Sequence, residues 1–125
     1  VMLGVLVLSH WLLDFASHRP DMPLTVWGEK MVGLGLWNSL PATMFVELTM
    51  FIIGIVFYLK STQSIDKIGK YSFWTLVIFL SVIYLGNIFG PLPPSTSAVA
   101  WSAQATWLLV AWGYWIDRHR IPKVI

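Results

Sequence analysis

Four stretches of the chain are almost continuously apolar, and prolines, glycines or charges bound each of them. The first covers residues 1–16 and stops at Ser17-His18-Arg19-Pro20-Asp21-Met22-Pro23, where two prolines block helical continuation. The second runs over 40–59. It opens at Ser39-Leu40-Pro41, which supplies an N-cap and an early-turn proline. The third covers 71–89 and ends at the proline-rich turn 90–97, and the fourth covers 98–116. Between the first two lies a mixed segment, 17–39, read as an interfacial loop with one short helix. A bilayer-spanning helix takes roughly 20 apolar residues. The pattern therefore predicts an all-α membrane bundle of four transmembrane helices, forming one domain over residues 1–125.

Composition supports the same class. Of the 125 residues 57% are hydrophobic and 11% charged, and the mean hydropathy is +0.71. A soluble domain carries about a quarter charged residues, so a water-soluble globule is excluded. The absence of Cys removes disulfides, thiolate nucleophiles and thiolate metal sites. The net charge is +2, with basic residues in short clusters at the helix ends, which points to the lipid bilayer as partner and to no nucleic acid.

Those clusters also predict orientation. Lys60, Lys67 and Lys70 occupy 60–70, and Arg118, Arg120 and Lys123 occupy the tail, whereas 90–97 carries no basic residue. By the positive-inside rule, 60–70 is a cytoplasmic loop, the C-terminus is cytoplasmic, and 17–39 is an outer loop. His119, within the basic tail, reads as a solvated interfacial residue.

Candidate chemistry lies in the outer half of the predicted bundle. His10 and Asp14 are four residues apart, with His18 four further, so on a helix they share one face. Such a pair can ligate a common metal, or Asp14 can fix the tautomer of His10, or the pair can be a polar patch facing a neighbour. Glu47 is flanked by Phe45, Val46 and Leu48 and has no basic residue within a helical turn. A carboxylate in that setting is protonated, paired or bound to a cation. Asn87 and Gln104 fall in the same predicted layer, where interhelical hydrogen bonding is their ordinary role.

The run Ser9-His10-Trp11-Leu12-Leu13-Asp14-Phe15-Ala16-Ser17-His18-Arg19-Pro20-Asp21-Met22-Pro23-Leu24, followed by Gly33-Leu34-Gly35-Leu36-Trp37-Asn38, resembles small bacterial proteins described as membrane-bound metal-dependent hydrolase-like. It looks like the C-terminal portion of such a protein, and the resemblance covers roughly the first 60 residues. It implies a location in the bacterial inner (cytoplasmic) membrane and places the family's H-x-x-x-D metal motif on His10 and Asp14. His18 and Asp21 are then additional ligands by proximity.

Two functions follow as expectations. In the first, His10 and Asp14, with His18 and Asp21, hold a divalent metal such as zinc or manganese, and Glu47 is a third ligand or the catalytic base. In the second, the chain is a non-catalytic accessory subunit of a larger membrane complex. The first apolar run extends only about 24 Å at 1.5 Å per residue, short of a hydrocarbon core of about 30 Å. Either an upstream segment or a partner chain is therefore expected to pack on residues 1–8.

Overall fold

Three of the helices of this chain begin where a side chain can satisfy a backbone amide. The computed structural model describes residues 2–25 and 27–123; Val1, part of the expected first span and of the 1–8 packing segment, lies outside them. Four helices, α1 (Met2–Ser17), α2 (Leu40–Ser61), α3 (Lys67–Phe89) and α4 (Thr96–Arg118), make up most of the fold. The protein is all-α in class, with two small antiparallel ladders. One pairs β1 (Met22–Pro23) with β2 (Met31–Val32), and the other pairs β3 (Thr62–Ser64) with β4 (Arg120–Pro122).

The helices outrun the apolar stretches that predicted them, because helix ends are set by caps and hydropathy ends by composition. Helix α3 starts four residues earlier than expected, at Lys67. Asp66 takes an extended conformation there and accepts a hydrogen bond from Gly69 N at 2.8 Å. Ser95 does the same for α4, accepting from Ala98 N at 3.1 Å, so that helix opens at Thr96. At the end of α2, Ser61 and Thr62 return their hydroxyls to the Phe57 and Tyr58 carbonyls, at 2.8 and 2.7 Å, and carry the helix past Leu59. The expected short helix in the outer loop is a 3-10 turn, Leu36–Asn38, beside the β1–β2 ladder.

Two helices, Leu40–Ser61 and Lys67–Phe89, are long and apolar enough to cross a membrane. Helix α4 has the length, but Ser97, Ser102, Gln104, Thr106 and Gly113 dilute its apolar character. Helix α1 is apolar and shorter, at 16 residues.

The described residues form two compact units that divide between Val56 and Phe57. In the first, α1 and the start of α2 flank the loop 18–39. In the second, α3 and α4 pack around Phe73 and Ile116, the latter 1% exposed. In both units large apolar side chains are exposed on the helices, including Leu6, Phe45, Ile78 and Trp107. A water-soluble fold would bury such a surface.

Candidate functional site

The end of α1 is where the His and Asp residues gather, and the loop that follows holds them there. The last carbonyls of a helix lack intrahelical partners. Here the loop supplies them, with Leu34 N donating to Phe15 O at 2.8 Å and Gly35 N to His18 O at 2.7 Å. Gly33 makes this docking possible. Its φ is 153°, and a Cβ at this position would lie 2.1 Å from Arg19 O. The 3-10 turn is fixed in its turn by Thr43 of α2, whose hydroxyl donates to Leu36 O at 3.0 Å.

On this frame stand two His–carboxylate pairs. His10 Nε2 lies 3.4 Å from Asp14 Oδ2, one helical turn away; the His10 side chain is 79% exposed and that of Asp14 35%. His18 has left the helix, and its Nδ1 lies 3.3 Å from Asp21 Oδ1. Trp37 of the 3-10 turn sits against the His18 ring, with centroids 4.6 Å apart. In each pair one ring nitrogen faces a carboxylate. The other nitrogen, Nδ1 of His10 and Nε2 of His18, has no hydrogen bond among the described residues.

Glu47 does not join them. It is half-buried on α2 and makes no hydrogen bond or ion pair among the described residues. Nor do the described residues contain any group of three or more His, Asp or Glu side chains able to hold a metal. A catalytic metal takes three protein donors. The donors here come in twos, so the described residues by themselves do not fit a complete metal centre.

The second unit holds a polar cluster at the end formed by β3 and the tail. His119, expected as a solvated tail residue, is mostly buried and its Nδ1 lies 2.6 Å from Asp66 Oδ2. The correction arises because the β3–β4 ladder folds the tail back onto the α2–α3 connection. Arg120 completes the closure. Its Nε donates to Thr62 Oγ1 at 2.9 Å and its Nη1 to Gly69 O at 3.1 Å, while the guanidinium lies 5.0 Å from the Tyr58 ring and 5.3 Å from that of Phe73. The Tyr58 hydroxyl donates to Asp117, and Lys123 Nζ donates to Leu59 O at 2.7 Å, on a terminal carbonyl of α2.

The Gly69 amide, and after it His119, hold the Asp66 carboxyl below its ordinary range. Asp66, Tyr58, Asp117 and Arg120 are all engaged within this cluster, so its chemistry is that of a clasp. The N-cap role of Asp66 was readable in its position ahead of an apolar run; its tail partners, 53 residues on, were not.

Asn87 and Gln104, expected as interhelical glue, are exposed, and neither makes a side-chain hydrogen bond among the described residues. The bond between α3 and α4 is instead Trp112 Nε1 to Ser72 Oγ, at 2.8 Å. Comparison with protein families, with characterised proteins and with solved structures finds no match for this chain.

Proposed function

We propose that this chain is a four-span integral membrane protein of the bacterial inner membrane, in which the end of α1 contributes to a metal-dependent hydrolase-like centre. The observation that carries the reading is the doubled His–carboxylate arrangement. His18 has one ring nitrogen hydrogen-bonded to an aspartate and His10 has one facing an aspartate at 3.4 Å, each with its other nitrogen available, the disposition in which a carboxylate prepares an imidazole to ligate a metal. The resemblance of residues 9–38 to membrane-bound hydrolase-like proteins points the same way. Outward-facing apolar side chains on all four helices support four spans, and 60–70 with the tail carries six of the eight basic residues, which supports a cytoplasmic C-terminus.

Because the described donors fall one short of a catalytic set, no hydrolytic step is assigned to this chain alone. The missing donor would come from another chain or segment packed against α1.

Metal analysis of protein purified in mild detergent with its native partners tests the proposal. Zinc or manganese is expected at one ion per chain, lost in His10→Ala if the first pair contributes to the site and in His18→Ala if the second does. Glu47→Gln lowers metal content only if Glu47 is the third donor. Absence of metal, or content unchanged by both His variants, overturns the reading. The accessory-subunit function would then stand.

A further inference from the structure

The clasp of the second unit leaves an uneven charge balance beside a groove. Residues 57–125 contain six Lys and Arg residues and two acidic ones, Asp66 and Asp117. Both acids are engaged internally, Asp66 by His119 and the Gly69 amide, Asp117 by the Tyr58 hydroxyl. Lys60 and Lys67 make no ion pair or hydrogen bond among the described residues. The end of α3 and α4 nearest the clasp therefore carries a net positive charge, six basic side chains against two carboxylates.

Into this end opens a groove of about 420 Å³ between the first half of α3 and the last half of α4. Lys67, Ile68, Tyr71 and Thr75 of α3 line one side, with Lys67 at the clasp end, and Trp112 and Trp115 of α4 line the other. The Trp112 N–H is already bonded to Ser72 Oγ, which leaves the indole as apolar wall. From Lys67 to Thr75 the groove follows α3 for about 12 Å at 1.5 Å per residue. A lysine at one end of an otherwise apolar, Trp-lined groove is the layout of a membrane interface.

We propose that this groove binds an anionic phospholipid. Lys67 Nζ and the Tyr71 hydroxyl take the phosphate, and the upper acyl chain lies against Trp112 and Trp115. Charge complementarity selects the occupant: a neutral lipid or an apolar peptide leaves Lys67 unpaired, and a free anion leaves the aromatic wall uncovered. The inference rests on the reading that α3 and α4 both span the bilayer.

The test uses the full chain in phosphatidylcholine vesicles containing a minor fraction of brominated lipid, with Trp fluorescence as the readout. Brominated phosphatidylglycerol should quench more strongly than brominated phosphatidylcholine. That excess should vanish when Trp112 and Trp115 are both replaced by Phe. Lys67→Gln should weaken the preference about fivefold, the effect of one interfacial lysine, whereas Lys30→Gln, in the first unit, should leave it intact. Equal quenching by the two lipids, an excess that survives the double Trp replacement, or an unaltered Lys67→Gln preference overturns the proposal. Relief of quenching by inorganic phosphate assigns a free-anion site and also overturns it. Failure to float with vesicles overturns the four-span reading itself, while insertion without lipid preference overturns the groove alone.

Discussion

Asp66 is one residue with two jobs, capping α3 through Gly69 N and holding the tail through His119. Its carboxyl is held below the ordinary range, so its folded pKa lies below its unfolded one, at about 4. The stability it contributes is thus fully present above that unfolded value and is lost as pH falls through the lowered folded value. Closure of the tail should follow this course. The Ile65 and Lys123 amides bond to His119 O and Ser61 O, and both should keep their hydrogen-exchange protection, corrected for intrinsic rate, down to about pH 4 and lose it below. In Asp66→Asn the protection should be lower throughout and flat across the acid range. The same acid dependence in that variant would assign the effect to another group.

The elements fit together where one side chain is missing. Gly69 lies at the first turn of α3, and a Cβ there would come within 2.0 Å of His119 O, a backbone atom of the tail. Gly69→Ala must push β4 away from β3 or displace the start of α3. An overpacked site of this kind costs about 1–3 kcal/mol. Gly54 of α2 has nothing within 4 Å of the same added atom, so Gly54→Ala should raise stability by about 0.5–1 kcal/mol. Thermal unfolding in detergent should separate the two, with a lowered midpoint for Gly69→Ala alone. Equal midpoints would mean that the tail is not seated on α3.

Across the second unit, the β3–β4 ladder brings residues 62–64 and 120–122 to one end. The expected positive-inside topology requires the same, since the 60–70 connection and the 118–123 tail that carry these strands are basic and flank an α3–α4 pair joined by an uncharged turn. Reporter fusions after Lys67 and after Ser95 should read opposite compartments, with Lys67 cytoplasmic. If both report the same side, α3 does not span and the four-helix topology falls. The apolar exterior gives the reason to expect the first result, for side chains such as Ile78, Val82 and Phe89 on α3 are exposed and need a lipid or protein environment.

What the sequence determined here is short in range. Apolar run length located the four helices, Ser39 and Pro41 marked the start of α2, and the spacing of His10 and Asp14 fixed the pair on α1. Each of these depends on atoms within about a helical turn, so neighbours in sequence suffice to set it. The tertiary structure decided the rest. Asp66 meets His119 across 53 residues, Arg120 meets Thr62 across 58, and Tyr58 meets Asp117 across 59. Such pairings depend on where the helices end and on how the tail folds back, and a loop can reach many positions at similar entropic cost. For the same reason His119, charged in appearance and terminal in position, read as solvent-facing and became part of a clasp. Glu47 gained no partner because nothing within its own helical turn could pair with it. Residue type could mark it as chemically unusual, but only packing could bring a second donor to it.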